Sequence, residues 1–111
     1  MKILGIRFVT NPAGARSFYA ALGLELPRGA EDAHWQELRA DGGIFALHGI
    51  REGDGEHPPF KLCLKSDEPL EQVQGRLTEA GFDPGIITDE DFGRAMRVRD
   101  PEGLEIQIDE G

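Results

Sequence analysis

The 111-residue chain has one cysteine, one tryptophan, one tyrosine and two methionines. A lone Cys63 excludes an internal disulfide and fits a reducing compartment, which makes the cytoplasm the expected location. No apolar run approaches the roughly 20 residues that cross a bilayer, so no membrane partner is expected. Met1–Gly5 lead straight into a strand-like pattern without the apolar stretch of a secretory leader. Bases are scarce as well: 12 Lys and Arg stand against 21 Asp and Glu, a net charge of −9. That balance argues against a nucleic-acid partner, whose phosphates are held by cationic side chains. The excess is uneven, because residues 56–111 carry 14 acids and 6 bases while residues 1–55 carry 7 and 6. An acidic surface serves solubility and permits a cationic ligand.

The remaining composition, 39% apolar and 30% charged, is that of a single globular domain spanning 1–111. Residues 2–10 are apolar and β-branched enough for a strand. Asn11 then offers a helix cap, Pro12 suits the first helical position, and Gly23 is the natural stop. Between them Ala15, Phe18, Tyr19 and Leu22 form a one-sided apolar stripe. A short strand is expected at Leu24–Leu26, followed by Ala33–Leu38 and Ile44–His48 around the hairpin signal Asp41-Gly42-Gly43. Residues 50–59 form a polar connector rich in Gly and Pro. The pattern then restarts with a strand at Phe60–Lys65. A helix follows, capped by Ser66 or Asp67, with the stripe Leu70, Val73, Leu77 and Ala80 ending at Gly81. Strands at Gly85–Thr88, Ala95–Arg99 and Leu104–Ile108 complete the second half. Each half reads β-α-β-β-β, so the chain is an approximate repeat: module one over 1–49, the connector over 50–59, module two over 60–111.

Four segments in register resemble one known family. They are Phe18-Tyr19-Ala20-Ala21-Leu22-Gly23-Leu24, Leu62-Cys63-Leu64-Lys65-Ser66-Asp67, Leu77-Thr78-Glu79-Ala80-Gly81-Phe82, and Asp100-Pro101-Glu102-Gly103 with the alternating strand behind it. Together they resemble the glyoxalase / bleomycin-resistance / extradiol-dioxygenase (vicinal oxygen chelate) superfamily. The resemblance implies an α+β fold of two βαβββ modules forming one curved eight-stranded mixed sheet, with the site on the concave face. It also implies a homodimer.

In metal-dependent members of that family, four positions supply the ligands. They fall here on Leu4 (or Gly5 if the register slips by one), Ala46, Lys61 and Gln107. Leucine, glycine and alanine carry no donor, and a lysine would have to lose its proton beside a cation. One glutamine is too few for a catalytic divalent site. No metal and no other cofactor is therefore expected, and a divalent ion is kept as the alternative.

Alternation places Trp35, Glu37, Ile44, Ala46, His48, Lys61, Cys63, Arg97, Glu105 and Gln107 opposite the core-facing side chains. One large aromatic with several convergent polar groups is the usual make-up of a small-molecule pocket. Trp35 is a stacking candidate. Lys61 and Arg97 can hold an acidic group or pair with Glu37 or Glu105, while His57 belongs to the solvated connector. No catalytic residue is assigned. The expected function is metal-independent binding of a small molecule, an antibiotic being one candidate class. A glyoxalase-like lyase, isomerase or dioxygenase with a non-standard site is the alternative, and a sensing or interaction module stands behind both.

Overall fold

A computed structural model describes residues 1–111. The chain is α+β, with two helices and seven strands in mixed pairing. It divides into two compact units, Ile3–Lys61 and Leu62–Gly111 with Met1–Lys2.

In the first unit, β1 (Lys2–Val9) leads into α1 (Pro12–Ala21), and β2 (Trp35–Ala40) turns through Asp41-Gly42 into β3 (Gly43–Gly49). The start of α1 is set locally. The Asn11 side chain accepts from Gly14 N at 3.0 Å, Pro12 opens the helix, and Gly23 beyond the end takes φ +110°. β3 lies between β1, to which it is parallel, and β2, to which it is antiparallel. Registered neighbours share a face. Phe45, which meets Tyr19 of α1 at 4.6 Å between ring centroids, therefore turns toward the helix together with Leu47, Leu38 and Gln36. Ile44, Ala46 and His48 turn away from it, in line with Leu4, Ile6 and Phe8 on β1 and with Trp35 and Glu37 on β2.

Two expectations change here. Leu24–Leu26 is not a strand: Pro27 cuts the segment short and only Glu25 pairs, through a two-bond bridge to Arg39. The strands thus number seven instead of eight. The stripe on α1 is only half used, because Tyr19 packs on β3 while Phe18 and Leu22 stay exposed and no residue of the helix is buried.

The second unit repeats the plan with the outer strand complete. β4 (Phe60–Ser66, whose first two residues belong to the first unit), α2 (Leu70–Glu79), β5 (Ile86–Glu90), β6 (Gly93–Arg99) and β7 (Glu105–Glu110) give the order β4-β7-β6-β5. Leu70 and Val73 of α2 bury themselves against Met96 and Ile108, flanked by Leu64, Leu77, Ile87, Val98 and Ile106. The opposite face carries Cys63, Arg97 and Gln107. Neither Ser66 nor Asp67 caps α2. Pro69 occupies the cap, and the Ser66 hydroxyl, placed too early, closes a turn on Glu68 instead. The first helical N–H, that of Leu70, donates to Glu110 Oε2 at 3.0 Å. Arg94 joins that carboxylate to Glu71. Hydrogen bonding to Arg94 holds Glu71 down to about 2 and draws Glu110 below the usual carboxylate range as well.

Candidate functional site

The candidate site lies wholly within the first unit. Register sets Trp35 and Phe8 on either side of His48, so three rings form a row across β2, β3 and β1. Trp35 meets His48 edge-on at 5.5 Å, and Phe8 meets it at 5.1 Å. The row is extended from both ends by loops. On one side the buried Gln36 accepts from Arg16 of α1 at 2.8 Å and donates to the carbonyls of Glu31 and Ala33. That clamp fixes the loop leading to His34, whose own carbonyl accepts from Gly49 N at 2.7 Å. On the other side Phe8 N donates to Pro59 O, drawing the connector along β1 and stacking His57 on Phe8 at 4.9 Å.

His34, His48, His57, Arg51 and Asp54 line an open cavity of about 540 Å³. Asp54 shapes its floor by accepting from Arg51 N at 2.8 Å, while its own carbonyl accepts from His57 Nε2 at 3.2 Å. The Nε2 atoms of His34 and His48 face each other at 3.1 Å. At that spacing one ring donates and the other accepts, so two imidazoles share one proton. Burial holds His48 below its ordinary pKa, the neighbouring His34 and His57 push the same way, and Asp54 opposes them. The arrangement offers aromatic faces for a flat ligand, an exposed guanidinium, and a pair of rings able to take up a proton.

The expected site residues fall in both units. Trp35, Glu37, Ala46 and His48 share the face of the first unit that is turned away from α1, and Trp35 Nε1 donates to Glu37 Oε2 at 2.9 Å. Ala46 is fully buried and does not reach the cavity. Lys61 and Cys63 stand two residues apart on β4, with Cys63 buried and paired to Gln107. Arg97 donates to Gln107 Oε1 at 3.2 Å, and Gln107 Nε2 donates to Asp109 Oδ1 at 2.8 Å. The carboxylate beside Arg97 is Glu90, at 3.3 Å, rather than Glu105 or Glu37. Glu90 projects from β5 on the same face, whereas Glu105 pairs with Arg99. His57 is exposed, yet bonded and stacked rather than simply solvated. His34, Arg51, Asp54 and His57 were not among the expected site residues. Only the phase of His48 with Ala46 pointed toward them, since the rest depends on strand register and on the course of the connector.

The four family ligand positions do not fit a divalent ion. The register gives Leu4, not Gly5, the face of Ala46, and a Cβ at Gly5 would come within 2.9 Å of the Phe60 ring. Gln107 is the sole ordinary donor of the four, and both ends of its amide are engaged. No group of three or more His, Cys, Asp or Glu side chains comes together in a way that could hold a metal ion.

No protein-family model and no curated protein matches the chain. Solved structures do. A structure described as an NAD-dependent benzaldehyde dehydrogenase from Legionella pneumophila shares 18% identity at a TM-score of 0.65, covering 97% of each chain. A glyoxalase/bleomycin resistance protein/dioxygenase superfamily member from Vibrio splendidus 12B01 shares 16% at 0.59, over 99% of this chain and 98% of that one. A hypothetical protein from Bacillus halodurans C-125 shares 14% at 0.61, over 97% and 91%. At such identities the likeness is one of fold, and the differing descriptions leave activity to be argued from the site itself.

Proposed function

From a chain that has the glyoxalase/bleomycin-resistance/dioxygenase fold, we propose a protein that binds a small flat molecule, without a metal, in the cleft of His34, His48, Arg51, Asp54 and His57. The observation that carries this reading is an open cavity of about 540 Å³ lined by the rings of His34, His48 and His57, with Trp35 and Phe8 packed on either side of His48. Rings at these separations present faces and edges on which an unsaturated ligand stacks, each such contact adding on the order of 0.5–1.5 kcal/mol. An antibiotic is one candidate class, resting on the resemblance alone. A homodimer in the cytoplasm belongs to the same proposal.

The test uses chelator-stripped protein and a panel of flat aromatic compounds, followed through Trp35, the chain's single tryptophan. Saturable 1:1 quenching is expected, with affinity lost in Trp35→Ala by calorimetry. Unchanged affinity in that variant would remove Trp35 from the site. A second reading, a lyase or isomerase, has one observation in its favour: the His34–His48 pair can accept and return a proton. Turnover of a bound compound that is lost in His48→Gln would put that reading first.

A further inference from the structure

The cleft holds two features that flat-ring binding does not use. One is the Arg51 guanidinium, which lines the cavity and forms no ion pair or hydrogen bond within the chain. The other is the His34–His48 pair, whose two Nε2 atoms meet at 3.1 Å over a single proton. We propose that the cleft selects an anionic ring compound, a flat acid whose charged group is held by Arg51 and by the His34–His48 pair after that pair takes up one proton from solvent. This rests on the binding reading above and deepens it by naming the charge of the ligand.

With both rings neutral, one ring donates its Nε2–H and keeps a lone pair on Nδ1, while the other accepts at Nε2 and carries its own proton on Nδ1. One further proton enters at the free Nδ1 lone pair, so the Nε2–H···Nε2 bond survives and the pair gains one positive charge. An anion in the cavity offsets that charge. The charged and titratable groups around His48 are His34 before β2, Glu37 on β2 (already the acceptor for Trp35 Nε1), and Arg51, Asp54 and His57 on the connector; β1 presents the uncharged Phe8. Asp54 is the one carboxylate lining the cavity, and it is engaged by Arg51 N. Burial and the two neighbouring imidazoles disfavour a proton on His48, and a bound anion opposes them. The uneven charge of the chain agrees with this. Residues 1–55, which supply His34, His48, Arg51 and Asp54, carry 7 acids and 6 bases, close to balance.

Calorimetry of the full chain with naphthalene-2-sulfonate and with naphthalene-2-sulfonamide tests it, because the sulfonate keeps its charge throughout and the sulfonamide stays neutral. The sulfonate is expected to bind about tenfold more tightly near pH 5.5 than near pH 7.5, as the protonated fraction of the pair rises. Titrations in MES and in Bis-Tris should show net proton uptake approaching one per sulfonate bound, lost in both His48→Gln and His34→Gln. The sulfonamide should show neither effect. Sulfonate binding that ignores pH, or takes up no proton, overturns the inference. So does binding of the sulfonamide alone, and both results leave the small-molecule reading standing. Proton uptake that persists in both variants also overturns it. Failure of both compounds to bind removes the flat-ring reading, and the inference with it.

Discussion

Gly81 and Gly85 lie four residues apart, both with φ in the left-handed region, at +89° and +69°. They differ in what surrounds them. A Cβ on Gly81 would meet nothing within 4 Å, whereas on Gly85 it would collide with the carbonyl of Arg97 and come 2.8 Å from Val98 Cγ1. Alanine at either site suffers the left-handed penalty of about 1–2 kcal/mol, partly offset by about 0.4–1 kcal/mol from a stiffer unfolded chain. Gly81→Ala should therefore lose about 0.5–1 kcal/mol. Gly85→Ala must also push β6 back from the entry to β5, and overpacking of that kind costs about 1–3 kcal/mol more. Urea titration should separate the variants by about 1–3 kcal/mol, and thermal melts by roughly 5–15 °C for a chain of this size. Equal losses would show that the close approach of Gly85 to β6 contributes nothing, and with it the account of how β5 is held against Arg97.

Met96 is fully buried among Leu70, Val73 and Ile108, so Met96→Ala should lose about 2–5 kcal/mol in the same titration, while the exposed Phe92→Ala stays within about 0.5 kcal/mol. Glu71 titrates near 2 in the fold, well below its unfolded value of 4.5, so its stabilisation is complete above 4.5 and disappears as pH falls toward 2. Glu71→Gln should flatten the acid side of the stability profile over that window. His48 is also depressed, so the unfolded chain binds its proton first: stability should fall as pH drops below 6.5, and His48→Gln should remove that part of the slope. Light scattering should report about twice the 12.2 kDa chain mass at micromolar concentration; a value equal to the chain mass would contradict the proposed homodimer.

What could be read from the sequence was what is decided locally. The cap, first turn and stop of α1 sit within a few residues of one another in Asn11, Pro12 and Gly23, and the structure uses all three. The Asp41-Gly42 turn likewise lies directly between β2 and β3, which pair across it from Ala40–Gly43 onward. The cap of α2 could not be read that way, since its acceptor, Glu110, lies forty positions along the chain from Leu70. The cleft was half legible for the same reason. Strand alternation placed Trp35 and His48 on one face. Bringing in His34 required the Arg16–Gln36 clamp, and bringing in His57 required the bond from Phe8 N to Pro59 O. Neither leaves a spacing pattern among the histidines.

The bridge at Glu25 also has a bearing on when each part of the chain opens. In the second unit β5 guards the outer side of β6 with five registered pairs, from Ile86–Arg97 to Glu90–Gly93. In the first unit the outer side of β2 is guarded by two hydrogen bonds, both between Glu25 and Arg39, at the end of the strand remote from Trp35. Amide exchange should therefore be quicker along the outer side of β2 than along that of β6. His34 and Trp35 sit at the end of β2 away from that bridge. A ligand that seats there must hold them still, so tight binding and slowed exchange at the start of β2 should rise together.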